Sequence, residues 1–367
     1  MTSPIATMRF PSMPRKNREQ TSDNAKRTLS RARDRKFAQK LLRWYDTNAR
    51  DLPWRKDRDP YRVWLSEIML QQTRVAAVLE HYRLFLEKFP TVQKLAGARE
   101  ATVLAAWSGL GYYRRARMLH AAAKTVVREH AGRFPETSQG LRKLPGIGRY
   151  TAAAIASIAF REPIAVVDGN VERVLSRVCG RDLNGETVWE AAEDLLDITR
   201  PGDFNQAMME LGATVCTPRR PQCLICPVAD FCEARGERPS EKMARPQKKR
   251  EVYYGLAKTK GEVLLVQRGQ RESLMAGMWE LPELAGLNGE TPILSLRHSI
   301  TVTDFVVRVV SIAQPGSGEG AWVSSDRLSS LPLTGLAQKI LRGVGMLPER
   351  IRRTSQRRAV ATTVGQA

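Results

Sequence analysis

Four of the five cysteines in this 367-residue chain lie in one short stretch, where they could bind a metal together. They follow the pattern C-x6-C-x2-C-x5-C, at Cys216, Cys223, Cys226 and Cys232. Cysteines this close cannot all form disulfides without strain, but four thiolates can converge on one metal centre. Structural zinc more often uses two C-x2-C pairs set well apart. The single pair here favours a [4Fe–4S] cluster, with zinc or unligated thiols as the alternatives.

A glutamate lies within an apolar helical pattern near the start of the chain. Residues 62–74 read RVWLSEIMLQQTR, and on a helix Glu67, Gln71 and Arg74 would share one face. Burial disfavours the charged form of a carboxyl group, so Glu67 could keep its proton at neutral pH and act as a general acid. The alternative is a surface glutamate on an amphipathic helix.

A second carboxyl group, Asp168, follows an apolar run in the sequence AVVDGNV and precedes a predicted helix. The simplest interpretation is a helix N-cap. A capping carboxylate at a helix N-terminus can also face a cation that develops during a reaction.

A glycine-rich turn lies between these two carboxyl groups. Residues 141–160 read LRKLPGIGRYTAAAIASIAF, and Pro145, Gly146 and Gly148 predict a tight turn before a helix that begins at about Arg149. The free N–H groups of such a helix suit a phosphate. An ordinary αα-hairpin is the alternative.

The chain has 59 Lys and Arg against 38 Asp and Glu, a net charge of +21. Such a field makes nucleic acid the default partner, although a solvated basic surface with basic tails is the alternative. The apolar content of 42% indicates a globular protein. With no long apolar run and no signal-peptide core we expect no membrane association, and a cytoplasmic, nucleoid-associated location if the source is bacterial.

The periodicity of the sequence divides it into parts that could position these residues. Helical spacing runs from about 36 to 215, as in the stripe Val171, Val174, Leu175 and Val178. The period changes to that of strands after a polar, basic stretch. We predict a basic disordered arm (1–35), a helical domain with the cysteine loop (36–232), a linker (233–250), an α+β domain (251–346) and a basic tail (347–367).

In this order, these features resemble the helix-hairpin-helix DNA glycosylases with an iron–sulfur cluster, and within them the MutY-type adenine DNA glycosylases. The matching stretches span the first domain: LPWR (52–55), WLSEIMLQQT (64–73), GLGYYRRAR (109–117), LPGIGRYTA (144–152), VDGNVERVLSR (167–177), FNQAMMELGATVC (204–216) and the cysteine loop. The implied fold is a mainly α helix-hairpin-helix domain with a [4Fe–4S] loop, plus a smaller α+β Nudix-like domain.

The resemblance implies a reaction and a role for each residue. Bifunctional members carry a lysine where this chain has Tyr150, so base removal without strand cleavage is implied. Glu67 would protonate N7 of an adenine that has left the base stack, and Asp168 would stabilise the oxocarbenium ion. Tyr150 and Asn170 would hold Asp168 and the sugar.

The remaining roles concern DNA binding. Trp54, Arg55 and Glu210 would line the adenine pocket, while Gln72 and Tyr112 would wedge into the duplex near the partner base. Gly146 and Gly148 would lie in the hairpin that grips phosphate, and the cluster loop, with Arg219 and Arg220, would do the same. The expected partner is double-stranded DNA with an A:8-oxoguanine or A:G mismatch, bound by a monomer.

The second domain resembles the Nudix-like domain of the same family through VLLVQRG (263–269) and AGMWELP (276–282). It lacks the glutamate-rich helix of a working Nudix hydrolase, so base recognition without hydrolysis is implied. The recognition loop of the family carries a histidine where this chain has Val302, although Thr301 keeps a hydroxyl. The preference for 8-oxoguanine over guanine is therefore open.

Three other hypotheses compete with this one. An endonuclease III-like glycosylase/lyase is disfavoured by Tyr150 and by the second domain. A non-catalytic iron–sulfur DNA-binding protein would not need both Glu67 and Asp168. A zinc-bound DNA-binding protein would lack iron.

Overall fold

The computed structural model describes residues 33–235, 248–269, 271–272, 275–287, 289–300, 303–313 and 320–349. The chain forms two compact units. The first contains residues up to Gly97 and Met118–Met243, and the second contains Ala98–Arg117 and the chain from Ala244 onward. None of the helices described is both long and apolar enough to cross a membrane.

The first unit is helical. Helix α1 is described over residues 33–48. The others are α2 (Pro60–Leu70), α3 (Val75–Lys88), α4 (Val92–Ala96), α6 (Arg114–His130, whose first turn belongs to the second unit), α7 (Ser138–Leu141), α8 (Arg149–Phe160), α9 (Gly169–Val178), α10 (Glu186–Leu195) and α11 (Pro201–Thr214). Short 3-10 turns lie at Pro53–Arg55, Cys223–Ile225 and Ala229–Phe231.

Helices α1, α9 and α11 share one core, which supports the segment that carries Asp168. The apolar stripe predicted on α9 is buried there, with Val174 and Leu175 packed together with Phe37 of α1 and Leu211 of α11. Burial of side chains of this size is the main stabilising contribution to such a core, at about 2 kcal/mol each.

Helix α8 is buried along most of its length because its residues are small. It packs against α2 and α11. At its C-terminal half, a Cβ added to Gly202 of α11 would lie 2.6 Å from the carbonyl oxygen of Ser157. This close approach fixes α11 against α8, and so fixes the site residues that these two helices carry.

The second unit contains α5 (Glu100–Trp107), α12 (Gly335–Gly343) and two four-stranded sheets. The strands are β1 (Lys248–Leu256), β2 (Lys258–Thr259), β3 (Glu262–Gln267), β4 (Trp279–Glu280), β5 (Glu283–Leu284), β6 (Leu294–Ile300), β7 (Thr303–Ser311) and β8 (Ala321–Ser324). A 3-10 turn covers Ser325–Ser330. This confirms the predicted smaller α+β domain and the change to strand periodicity after the basic stretch.

The strand order of the first sheet is β5-β1-β7-β6, with β1 parallel to β7 and the other pairs antiparallel. In the second sheet β3 pairs with β2, β4 and β8. Residues 283–297 hold strand and loop and, among those described, no helix. The described residues of the segment that would carry a Nudix catalytic helix therefore form short strands and loop.

Some element boundaries differ from the sequence-based ones. Residues 33–35, assigned above to the arm, are helical, because Phe37 and Leu41 anchor α1 in the core. Lys248–Arg250, assigned to the linker, belong to β1, because β7 extends alongside them in register. Residues 98–117, assigned to the helical domain, cluster with the C-terminal unit. The other domain boundaries stay predictions.

Candidate active site

A cavity of about 550 Å³ lies within the first unit, a volume in the range of sites that hold small molecules. It brings together residues that are far apart in the sequence. Eight of the predicted site residues line it: Trp54, Arg55, Glu67, Gln72, Tyr150, Asp168, Asn170 and Glu210.

Glu67 lies on α2 and is only 7% exposed. It is a buried carboxyl group on the cavity wall, and not a surface residue of an amphipathic helix. Burial raises its pKa from 4.5 to about 7, with a contribution from the charge of Asp168, while the hydrogen bond from Tyr150 and the charge of Arg55 lower it. Near neutral pH a substantial fraction of Glu67 therefore carries a proton, as a general acid requires. The helix ends at Leu70, so Gln71 and Arg74 do not continue its face.

Tyr150 is the second residue of α8, and its hydroxyl donates to Oε2 of Glu67 at 2.6 Å. This bond to Glu67 was not predicted, and the role implied for Tyr150 in holding Asp168 and the sugar stays a prediction. Burial and the nearby carboxyl groups raise the pKa of the Tyr150 phenol well above its usual range, so it stays a donor. With Oε2 occupied, Oε1 is the oxygen of Glu67 that can carry a transferable proton.

Asp168 caps the N-terminus of α9. Its Oδ1 accepts hydrogen bonds from the backbone N–H groups of Asn170 and Val171, both at 2.8 Å. Its Oδ2 accepts one from the side-chain amide of Asn170 at 2.9 Å. The N-cap interpretation is therefore right, and the same residue lines the cavity. Three donors fix the carboxylate in one orientation.

Arg173, which is not among the predicted site residues, holds Asn170 in place. Its guanidinium donates to Oδ1 of Asn170 and to the carbonyl of Gly212, both at 2.8 Å, and to the carbonyl of Cys216 at 3.0 Å. This arginine joins α9, α11 and the first cysteine of the loop. In the sequence, the one indication of a role for Arg173 is its place in the stretch VDGNVERVLSR (167–177).

Gly212 lets α11 approach the start of α9. A Cβ at this position would lie 2.6 Å from Cβ of Asn170 and 3.1 Å from its carbonyl oxygen. Neither atom is at the end of a flexible side chain, so a larger residue would displace the turn that carries Asp168 and Asn170.

Glu210 is buried, and two arginines neutralise it. Arg50 donates to its Oε1 at 2.6 Å and to its Oε2 at 2.9 Å, and Arg55 donates to Oε2 at 2.8 Å. Burial alone would raise the pKa of Glu210, but these hydrogen bonds lower it below its usual value. Arg50 also lines the cavity and carries no signal in the sequence. Glu210 therefore lines the cavity as an ionised carboxylate whose two oxygens both accept hydrogen bonds from arginines.

Asn205 is a buried positioning residue, and it too is not among the predicted site residues. Its Oδ1 accepts from the backbone N–H of Val166 at 3.1 Å. Its amide donates to Ser157 Oγ at 3.0 Å and to the carbonyl of Ile164 at 2.9 Å. These bonds fix the extended segment before Asp168 against α8 and α11.

The predicted hairpin turn is present between α7 and α8. Gly146 has φ +74°, and a Cβ there would lie 2.5 Å from Cβ of Met118, so glycine is required on both grounds. Gly148 is the N-cap of α8, and a Cβ there would meet nothing within 4 Å. The hairpin thus has open space beside the N-terminus of α8, where an anion could approach.

The two predicted wedge residues have left-handed backbones, with φ +55° at Gln72 and +48° at Tyr112. Gln72 lines the cavity of the first unit. Tyr112 belongs to the second unit, where its side chain is 46% exposed. Non-glycine residues rarely adopt such φ values, and they concentrate at functional sites. Thr301 and Val302 lie outside the described residues.

The four cysteines line a separate cavity of about 310 Å³ in the first unit. Four thiols around one cavity are a ligand set that can hold a polynuclear iron–sulfur cluster.

Arg177 of α9 binds the start of the cysteine loop through several hydrogen bonds. It is buried, and its guanidinium donates to Sγ of Cys216 at 3.2 Å and to the carbonyls of Thr217 at 2.9 Å and Pro218 at 3.0 Å. The thiol of Cys232 lies 3.3 Å from the carbonyl of Arg177. These hydrogen bonds hold the start of the cysteine loop against the C-terminal end of α9.

Comparison with known proteins agrees with this geometry. Residues 65–201 match the family model of the HhH-GPD superfamily base excision DNA repair protein, and residues 216–232 match the iron–sulfur binding domain of endonuclease III. The chain therefore carries the ligand set of an iron–sulfur cluster, as predicted.

Curated relatives and a solved structure extend the comparison. An adenine DNA glycosylase of Rattus norvegicus is 54% identical over 213 residues, which is 54% of this chain and 41% of that protein. One of Arabidopsis thaliana is 40% identical over 314 residues, 71% of this chain and 49% of that protein. The chain thus spans less than half of these relatives. A thermostable thymine-DNA glycosylase structure is 32% identical with a TM-score of 0.52, covering 55% of this chain and 96% of that one.

Proposed function

We propose that this chain, which belongs to the HhH-GPD superfamily of base excision DNA repair proteins and within it to the MutY-type adenine DNA glycosylases, removes adenine from mispaired double-stranded DNA. One observation carries the proposal. Glu67 and Asp168 line the same cavity, and the hydroxyl of Tyr150, not a lysine amine, stands between the hairpin and Glu67.

The chemistry divides between the two carboxyl groups. An extruded adenine in the cavity would receive a proton from Oε1 of Glu67, which makes the base a better leaving group. Positive charge then develops on the sugar, and the carboxylate of Asp168, oriented by Asn170, would stabilise it. Breaking the glycosidic bond and adding water would leave an abasic site, since no lysine among the described residues lines the cavity to supply an amine for strand cleavage through an imine.

The walls of the cavity would select the base. Glu210 is ionised and held by Arg50 and Arg55, and Trp54 offers an aromatic face. An adenine has both hydrogen-bond donors and acceptors on its edge, so a fixed carboxylate–guanidinium pair can recognise it by hydrogen bonds. We propose that this pair positions the base with its N7 toward Glu67.

The iron–sulfur cluster would be held by Cys216, Cys223, Cys226 and Cys232, and it would act as a structural centre that shapes the loop. Arg219 and Arg220 are exposed beside these cysteines. We propose that they bind DNA phosphate, in line with the strongly basic composition of the chain.

The partner base, the oligomeric state and the location belong to the same proposal. The partner would be 8-oxoguanine or guanine, the protein would act as a monomer, and in a bacterium it would work in the cytoplasm at the nucleoid. Adenine release should be measured opposite both bases. Equal rates would indicate that replacing the family's histidine by Val302 has relaxed the discrimination.

The test of the proposal uses purified protein and duplexes with adenine opposite 8-oxoguanine, guanine or thymine. Alkali after the incubation converts abasic sites into strand breaks. We expect breaks at the mismatched adenine only after alkali treatment, and none with Glu67→Gln, which should still bind the mismatch. Strand cleavage without alkali would instead support a glycosylase/lyase. Normal turnover by Glu67→Gln would contradict the assignment of Glu67 as the general acid.

A further inference from the structure

The loop between α5 and α6 holds Tyr112 in an unusual conformation. Gly109, Gly111 and Tyr112 have φ values of +99°, +70° and +48°. Glycine adopts such angles freely, but tyrosine does not, so the surrounding structure must stabilise this backbone. Tyr112 is nevertheless 46% exposed, and neighbouring residues contact its loop.

Local contacts support the tip of the loop. The guanidinium of Arg115 lies 5.4 Å from the ring centre of Tyr112 and 5.5 Å from that of Trp107. The same group donates to the carbonyls of Leu110 at 3.1 Å and Gly111 at 3.3 Å. The indole N–H of Trp107 donates to the carbonyl of Gly111 at 3.2 Å. These contacts fix the shape of the loop but not its position.

Its position is fixed by the C-terminal part of the second unit. The hydroxyls of Ser108 and Tyr113, both buried, donate to one acceptor, the carbonyl of Leu333, at 2.7 Å and 3.1 Å. The amide of Gln338 donates to Oγ of Ser108 at 2.5 Å. Leu333 precedes Thr334, the fully buried N-cap of α12. Both ends of the Tyr112 loop are therefore attached to the start of α12.

We propose that Ser108 and Tyr113 are positioning residues for Tyr112, which tie its loop to the α+β body through the carbonyl of Leu333. The C-terminal part of the chain then contributes to mismatch recognition by holding the wedging ring in place, besides any contact of its own with the partner base. This inference rests on the proposed function, because the wedge role of Tyr112 comes from it.

The test uses the full chain and a duplex whose mispaired adenosine carries a 2′-fluorine, which resists cleavage of the glycosidic bond. The variants are Tyr113→Phe and the double variant Ser108→Ala, Tyr113→Phe. The matched control is Tyr254→Phe, which removes a hydroxyl from another buried tyrosine of the second unit. Two quantities are measured: the ratio of affinities for A:8-oxoguanine and A:T duplexes, and amide hydrogen exchange in residues 108–113.

We expect the double variant to lose about tenfold of its mismatch preference, because Ser108→Ala removes the bonds to Leu333 and from Gln338, and Tyr113→Phe removes a third. Its loop amides should exchange faster, while Tyr254→Phe matches the unmodified protein in both. A double variant that keeps the mismatch preference overturns the inference, even if its loop exchanges faster. If the double variant does not fold, Tyr113→Phe alone decides by the same criteria.

Tyr112→Ala separates this inference from the proposed function. It should lose at least as much mismatch preference as the double variant. If Tyr112→Ala retains the mismatch preference, Tyr112 is not a wedge, and the proposed positioning role of Ser108 and Tyr113 is then wrong as well. The proposed function is judged separately, by adenine release from the unmodified protein on a cleavable duplex.

Discussion

The hydroxyl of Tyr150 and the carboxyl of Glu67 form a 2.6 Å hydrogen bond between residues 83 positions apart in the chain. The bond joins the first turn of α8, just after the hairpin glycines, to the candidate general acid on α2. It counteracts the effect of burial on the pKa of Glu67. Tyr150 therefore sets the pH range in which Glu67 carries a proton.

Removing that hydroxyl should move the pH dependence of adenine release. Glu67 acts in its protonated form, so the single-turnover rate should fall as pH rises through about 7. The Tyr150 hydrogen bond lowers the pKa of Glu67, so Tyr150→Phe should shift this decline to higher pH. Tyr45→Phe, which removes a hydroxyl outside this pair, is the control. A decline that stays in place or moves to lower pH would contradict the role given to Tyr150.

Glu67 should also affect stability in a pH-dependent way. The folded state holds its proton up to about pH 7, whereas the unfolded chain releases it near 4.5. The stabilising contribution is complete below pH 4.5 and is lost as pH rises through 7. Between pH 4.5 and 8, Glu67→Gln should gain about 3 kcal/mol in unfolding free energy relative to the unmodified protein. Urea unfolding at both pH values measures this, and a pH-independent difference would show that the pKa is not raised.

The contact between α11 and α9 predicts a strong effect of a small substitution. Gly212→Ala would place a methyl group 2.6 Å from Cβ of Asn170 and displace the turn that holds Asp168. We expect adenine release to fall at least about tenfold, because catalytic groups tolerate little misplacement. Gly97→Ala is the matched control, since its added Cβ would meet only a backbone oxygen at 3.5 Å. Equal rates for the two variants would exclude this packing from catalysis.

The buried carboxylate of Glu210 should depend on the geometry of Arg50 as well as on its charge. Arg50→Lys keeps the cation but loses the two-point contact, and Arg50→Met loses both. We expect Arg50→Met to cost about 3 kcal/mol of unfolding free energy, because a buried charge loses a partner, and Arg50→Lys to cost less. Both should weaken adenine release. Urea unfolding gives the stabilities, and an unchanged value for Arg50→Met would mean that Arg55 alone satisfies Glu210.

The exposed arginines of the cysteine loop should contribute to DNA binding through charge alone. Arg219→Ala and Arg220→Ala should each weaken binding equally for mismatched and paired duplexes, and reduce the slope of log affinity against log salt by about 1. Arg83→Ala is the control, since that guanidinium already pairs with Glu80 and Glu87. Unchanged slopes would place the phosphate contacts elsewhere. The visible absorbance of the cluster should be the same in all three proteins.

Much of the chemistry could be read from the sequence because it lies in short, local patterns. The spacing of the four cysteines, the glycines of the hairpin and the carboxyl group before α9 are each defined within about twenty residues, and local patterns of this kind specify turns, caps and metal loops. The apolar surroundings of Glu67 likewise predicted a protonated acid. The strands of the second domain followed from their period.

Other features of the site could not be predicted because they depend on contacts between distant segments. Arg50, Arg173 and Asn205 bond to groups that only folding brings to them, such as the carbonyl of Gly212 for Arg173, and no spacing in the sequence predicts these contacts. The hydrogen bond from Tyr150 to Glu67 could not be predicted for the same reason. The sequence placed residues 98–117 in the helical domain, and only the fold reveals that Ser108 and Tyr113 are bonded to Leu333.

Residue order along the chain thus specifies which chemical groups are present and which local turns carry them, because these features depend on close neighbours in the sequence. The packing of the helices specifies how deeply Glu67 is buried, which hydroxyl bonds to it and which arginines neutralise Glu210. Those outcomes depend on burial and on hydrogen-bond partners, and both exist only once the helices have packed.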